Sequence, residues 1–171
     1  MNRNRLLIEV MRQSGLRSIL CAGSGASWQP LLLASAGFEV TVLDISQVAI
    51  YALGKRELPP EVGGGPIRRP VCVIGDLLDT SLCPGPFDVV VERLAVQVIP
   101  EVNRGAALEA LAARLGRVGI LQSTCLDDPF PLAWGWAQHS TGFYHASEDG
   151  FDPGIGGSGI NFLTLWSSRV R

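Results

Sequence analysis

The fold turns on Arg17-Ser18-Ile19-Leu20-Cys21-Ala22-Gly23-Ser24-Gly25-Ala26-Ser27. Ile19 to Ala22 is continuously apolar, the pattern of a strand buried on both faces. Gly23-Ser24-Gly25 then forces a tight turn, because glycine adopts backbone angles that other residues avoid. From about Trp28 to Ala36 the pattern is helical, with Pro30 tolerated in the first turn and Gly37 closing it. Strand, glycine turn and helix in that order give backbone N–H groups a place to meet a ligand. A tight strand-to-helix turn with no ligand explains the same residues, so the flanking sequence has to decide.

Before this unit, Leu6, Leu7, Val10 and Met11 recur at helical spacing, and Gly15 ends that helix. After it, Phe38 to Leu43 is a second strand ending at Asp44, and Ser46 is placed to cap a helix running to about Arg56. Pro59 to Pro70 is rich in Gly and Pro and reads as a loop. Val71 to Ile74 is a third strand ending at Gly75-Asp76. Cys83-Pro84-Gly85-Pro86 is a turn, and Phe87 to Val91 is a fourth strand running into Glu92. Pro100 to Leu115 reads as a long helix and Val118 to Gln122 as a fifth strand. Phe143 to Ala146 and Phe162 to Trp166 are the remaining strands, joined by a glycine-rich loop over 149–159. The expectation is an α/β fold: a doubly wound, mostly parallel, seven-stranded sheet with an antiparallel edge, in one domain over 1–171. In such sheets ligands bind at the carboxyl ends of the strands.

Composition limits the function. The chain has 171 residues, 47% apolar and 18% charged, with a formal charge of −2. That suits one globular domain with a sizeable core. Scattered Lys and Arg give no basic stripe for nucleic acid. No apolar run approaches the roughly 18 residues of a membrane span, and the N-terminus lacks the pattern of a signal peptide. The four cysteines are far apart and there is no histidine cluster, so no metal is expected. Cys21 and Cys72 fall inside strands, where a thiol is usually a buried apolar group. A reduced, cytoplasmic protein is the expectation.

Three successive strand ends carry groups suited to an adenosine. Asp44 can accept from both ribose hydroxyls, and Asp76 can accept from an adenine amino group. The plainer account of each is a capping carboxylate.

Together these residues resemble the class I S-adenosylmethionine-dependent methyltransferase family. Its first motif corresponds to Ile19 to Ser27, its second to Val40 to Ser46, its third to Ile74 to Leu77 and its fourth to Phe87 to Pro100. The resemblance covers about residues 5–123. It implies S-adenosylmethionine as cofactor, contacted by Cys21, Ala22, Gly23, Ser24, Gly25, Ser27, Asp44, Ile45, Asp76, Leu77, Glu92 and Arg93. Two positions depart from the motif: Cys21 replaces an acidic residue and Ser27 replaces a third glycine.

The family's chemistry needs an in-line nucleophile, close approach and exclusion of water. Glu92, His139 and His145 are the candidate bases. Arg93, Gln97, Ser123, Thr124, Asp127 and Asp128 are further candidates on the acceptor side, each also explicable as an ordinary solvated or satisfied polar group. Trp134 and Trp136 are candidates for an aromatic wall or for core. The segment after strand four lacks the Pro-Pro-aromatic signature of enzymes that methylate exocyclic amines. That lowers this subclass; the acceptor expected is a small molecule, or else an exposed side chain, with a homodimer as one way to complete the pocket. Two alternatives stay open. A binding or assembly protein that kept the fold fits Cys21 and Ser27. A nicotinamide-dependent oxidoreductase shares the glycine turn and Asp44, but has Trp28 where Gly-x-Gly-x-x-Gly needs glycine. Tyr51 and Lys55 have the spacing of a dehydrogenase pair but read as a helical i, i+4 contact.

Overall fold

The computed structural model describes residues 3–60, 68–126, 136–147, 150–152 and 160–169, with side chains described for residues 5, 7–60 and 68–116. Helix α1 (Arg3–Ser14) precedes β1 (Ser18–Ala22), α2 (Gln29–Ser35), β2 (Glu39–Asp44), α3 (Gln47–Lys55) and β3 (Val71–Ile74). Then come β4 (Phe87–Arg93), α4 (Ala95–Val98), α5 (Glu101–Ala113), β5 (Leu115–Leu126), β6 (Trp136–Ser147), β7 (Gly150–Asp152) and β8 (Ile160–Arg169).

One sheet runs in the order β3-β2-β1-β4-β5-β8-β6-β7. The first five strands are parallel, and β8 and β6 continue the sheet antiparallel. The strand order reverses between β1 and β4, which opens a crevice there. Among the described residues the sheet has eight strands, against an expectation of seven. The extra one is the three-residue β7, paired with the end of β6 inside the stretch read as a glycine-rich loop.

Alternating side chains of the central strands divide the core in two. Ile19, Cys21, Val40, Val42, Val89 and Val91 face Leu7 and Met11 of α1, Leu31 and Leu33 of α2 and Leu53 of α3. Leu20, Ala22, Leu43 and Val90 face Val96 of α4 and Ala107, Leu108 and Leu111 of α5. Period-two alternation with both sets buried is what the uninterrupted apolar strands encode.

Two local devices fix the register. Asp88, at the start of β4, accepts from the N–H groups of Arg17 and Ser18 at 2.8 and 2.9 Å and from the Ser18 hydroxyl at 3.0 Å. The Ser18 hydroxyl in turn accepts the Asp88 N–H at 2.9 Å, so the neighbouring pair Ile19 and Val89 is locked in step. Arg114 is buried at the end of α5 and donates to the carbonyls of Asp79, Leu82 and Ala110. It ties the helix to the β3–β4 connection.

That connection carries no helix, contrary to a regular strand–helix alternation. Asp76 accepts from Leu78 N–H at 2.9 Å and Asp79 from Ser81 N–H at 3.0 Å, so successive Asx turns occupy the backbone. β3 is an edge strand, paired among the described residues with β2 alone. Val71 and Ile74 are exposed, and so is Cys72, which strand placement had suggested would be buried. The Tyr51–Lys55 pair behaves as a helical contact, with Lys55 Nζ 4.2 Å from the Tyr51 ring centre. Among the described residues no helix is long and apolar enough to cross a membrane.

Candidate cofactor cleft at the strand ends

A cleft of about 460 Å³ lies at the carboxyl ends of the parallel strands. Its walls include Gly23 and Gly25 from the β1 turn, Asp44 and Ile45 from the end of β2, and Asp76 and Leu77 after β3. Leu94, Ala95, Val98 and Ile99 around α4, with Asn103 of α5, close the other side. Three strand ends picked out by their sequence pattern therefore meet in one place.

The two glycines do different jobs. Both have left-handed φ, +59° at Gly23 and +57° at Gly25, so each turn position favours glycine. A methyl group on Gly23 would overlap the Ala95 side chain, so this glycine lets α4 close against the turn. A methyl on Gly25 would meet no atom within 4 Å. The open space suited to close approach by a ligand is at Gly25.

Asp44 is 7% exposed and holds the turn. One carboxylate oxygen accepts the Gly25 N–H at 2.7 Å and the other accepts the Ser46 N–H at 2.8 Å. Ser46 then caps α3, its hydroxyl accepting from Ala49 N–H at 3.2 Å. A carboxylate offers about four lone-pair directions, so each oxygen retains one beyond these bonds. Asp76 is exposed, and its Oδ1 takes part in the turn to Leu78. Ile45, 72% exposed, and the half-buried Leu77 give the cleft apolar surface beside these acids.

The other predicted contacts lie elsewhere. Cys21 is 1% exposed and packs in the core on the α1–α2 face, where burial pushes its thiol up to about 12. Ala22 is buried on the opposite face. Ser24 and Ser27 shape the turn: Ser27 N–H donates to Ser24 O at 3.2 Å, and the Ser27 hydroxyl accepts from Gln29 N–H at 3.2 Å. Neither serine is on the cleft wall. Glu92 is 1% exposed and accepts from the N–H groups of Ala95 and Val96 at 3.0 and 3.2 Å. Its carboxylate supports α4 rather than facing the cleft. Arg93 is half-buried at the end of β4.

Register places the acceptor-side candidates. Ser123 and Thr124 of β5 stand level with Glu92 and Arg93. Through β8, Thr141 and Gly142 of β6 continue those two rows. His145, paired with Ile160 of β8 and Asp152 of β7, lies further along the sheet than those rows, toward the end that carries the cleft and three strands from β4. His139 sits at a β6 irregularity between Gln138 and Ser140, lower in the sheet, and Trp136 is at the strand's start. Asp127, Asp128 and Trp134 lie outside the described residues. Among the described residues no group of three His, Cys, Asp or Glu side chains is arranged to hold a metal.

Leu94 escaped the sequence reading. It adopts a left-handed φ of +61°, a conformation that costs a branched residue about 1–2 kcal/mol. That kink turns the chain from β4 into α4 and brings Ala95 against Gly23. No sequence signal marks it, because glycine or asparagine is the usual residue there.

No protein-family model and no curated protein matches the sequence. Solved structures do match the fold. A methyltransferase from Methanosarcina mazei, described as S-adenosylmethionine-dependent, superposes with a TM-score of 0.70 at 14% identity, over 94% of this chain and 98% of that one. Magnesium protoporphyrin IX methyltransferase from Synechocystis PCC 6803, with bound S-adenosylmethionine, gives 0.67 at 18% identity over 96% and 77%. A TehB-like methyltransferase from Corynebacterium glutamicum gives 0.67 at 18% identity over 94% and 86%. With a five-stranded parallel sheet, an antiparallel extension and a cleft at the strand ends, the chain has the Rossmann-like fold of class I S-adenosylmethionine-dependent methyltransferases.

Proposed function

We propose that this protein is an S-adenosylmethionine-dependent methyltransferase acting on a small molecule. The observation that carries the reading is the convergence of Gly25, Asp44, Ile45, Asp76 and Leu77 on one cleft. Asp44 retains acceptor directions for ribose hydroxyls while its present bonds pre-set the Gly25 turn. Asp76 stands one strand further out, on the same cleft, with Ile45 and Leu77 offering apolar faces for an adenine ring. The open position at Gly25 lets a ligand approach the backbone. Solved neighbours of the fold include enzymes crystallised with S-adenosylmethionine or S-adenosylhomocysteine, and methyltransferases of a porphyrin and of plantazolicin, which supports a small-molecule acceptor.

When bound, S-adenosylmethionine supplies a methyl group activated by its sulfonium. The chain's part is to bind the adenosyl portion, orient the sulfur toward the β4–β5 side and exclude water. A base is needed only where the acceptor must lose a proton early. Of the candidate bases, His145 is placed by register toward the end of the sheet that carries the cleft.

Isothermal titration with S-adenosylmethionine, S-adenosylhomocysteine and NAD tests this reading. Binding of the two adenosyl sulfur compounds, lost in Asp44→Ala, is expected. Binding of NAD alone overturns it. A second reading, a binding protein without turnover, is favoured by the Cys21 thiol, which occupies the core where the family motif has an acid. Cofactor binding with no methyl transfer to any acceptor in a metabolite extract would select that reading.

A further inference from the structure

Helix α4 is four residues long, so nearly all of its backbone polar groups lack a partner within the helix. A single turn does not hold itself, because it fixes several dihedral angles for few hydrogen bonds. It also follows the left-handed Leu94, a conformation that persists only where the surroundings enforce it. Yet α4 supplies Ala95 and Val98 to the cleft wall, with Leu94 before it and Ile99 after it. Its position has to be set from outside.

Three holds do so. Val96 is fully buried between the sheet and α5. At the start of the helix, Glu92 accepts the N–H groups of Ala95 and Val96. At its end, Arg104 donates from Nη2 to the Gln97 carbonyl at 2.8 Å and from Nε to the Ile99 carbonyl at 3.1 Å. These two carbonyls flank Val98, whose own side chain is exposed and so is not fixed by packing. Arg104 is half-buried and is the fourth residue of α5. A cation in the first turn of a helix opposes the helix dipole, so α5 gains nothing from an arginine there. What the position offers is reach back to α4, where a planar fork spans two carbonyls in fixed geometry.

We propose that Arg104 is a positioning residue for the ligand cleft. With Glu92 at the opposite end, it holds α4 in place as the wall against which the ligand binds. Arg104 is not itself on the cleft wall and acts only through Val98 and Ile99. The effect on affinity rests on the reading of the cleft as a cofactor site; the hold on α4 does not.

Wild type, Arg104→Met and Arg104→Lys are compared in two measurements. Amide hydrogen exchange of the unliganded proteins, followed by mass spectrometry, reads the hold on α4 with no ligand present. Isothermal titration with S-adenosylhomocysteine reads the consequence for the cleft. In Arg104→Met the amides of Ala95 to Val98 should exchange about tenfold faster or more, with β1 and β4 unchanged, and S-adenosylhomocysteine should bind about tenfold more weakly. Arg104→Lys, which keeps the charge without the fork, should fall between on both. Unchanged exchange at α4 overturns the proposal. So does faster exchange at α4 with full ligand affinity. Faster exchange spread over β1 and β4 makes Arg104 a general stabiliser and overturns it as well. A wild type that binds no S-adenosylhomocysteine overturns the cofactor reading, and the claim on affinity with it, whatever the exchange at α4 shows.

Discussion

The Asp44 carboxylate receives the Gly25 N–H at 2.7 Å, joining the end of one strand to the turn that follows its neighbour. With the bond from Ser46, one side chain holds both the β1 turn and the entry to α3 beside the cleft. Asp44→Ala leaves two N–H groups without their acceptor. The expected loss is about 2–3 kcal/mol of stability in urea unfolding, together with loss of S-adenosylhomocysteine binding. Asp44→Asn keeps one carbonyl acceptor and should fall between. Retention of full ligand affinity in Asp44→Ala would show that the carboxylate serves the turn alone.

Gly23 and Gly25 separate packing from binding. Gly23→Ala places a methyl into Ala95 and also meets a left-handed φ, so it should cost about 2–4 kcal/mol. Gly25→Ala meets only the φ penalty, about 1–2 kcal/mol. Its effect should appear instead as weakened cofactor binding. Equal stability losses in chemical denaturation would contradict the different surroundings of the two positions.

Asp88 makes stability fall in acid. Burial raises its carboxyl pKa, but the bonds from Ser18 and Arg17 outweigh that and hold it below the ordinary carboxylate range. A lowered folded pKa means the unfolded chain binds the proton more tightly. The stabilisation is therefore present above the unfolded value of about 3.9 and is lost as pH falls through the lower folded value. Asp88→Asn should flatten the melting-temperature curve below about pH 4. An unchanged acid limb would mean that other carboxylates dominate it.

The thiols should divide by depth. Cys21, with its pKa near 12 and 1% exposure, should resist iodoacetamide at pH 8 until the protein unfolds. Cys72, exposed on β3, should alkylate first, as peptide mapping by mass spectrometry would show. Cys21→Asp restores the acid of the family motif but puts it among apolar side chains. It should destabilise by about 3 kcal/mol or more without improving cofactor affinity. Tighter binding in that variant would mean position 21 does communicate with the cleft.

What could be read in the residues was whatever local pattern encodes. The apolar runs at Ile19–Ala22 and Val40–Leu43 announced buried parallel strands, and Asp44 and Asp76 announced their ends. Ser46 announced its cap, and the structure has it accepting from Ala49. What escaped depends on neighbours distant in the chain. Cys72 looked like core because an apolar strand carries no mark of being at an edge. The stretch between Asp76 and the Cys83–Pro86 turn reads as no regular element, and there the tie from Arg114 at the end of α5 to the Asp79 and Leu82 carbonyls is the contact that sequence could not show. Gly23 was legible as a turn residue, but its contact with Ala95 depends on the unforeseen kink at Leu94. Glu92 looked available for chemistry because nothing in sequence shows that the next turn of backbone takes its oxygens.

The β3 edge has a consequence for how affinity is built. Asp76 and Leu77 follow a four-residue strand that, among the described residues, is paired on one side only and has α3 packed against it. On the proposed reading the purine end of the ligand would meet an edge strand, while Asp44 and the β1 turn are anchored in the interior of the sheet. Part of any binding energy must go into steadying that margin. Substitutions along Val71 to Ile74 can therefore tune residence time from a distance, without touching the ligand at all.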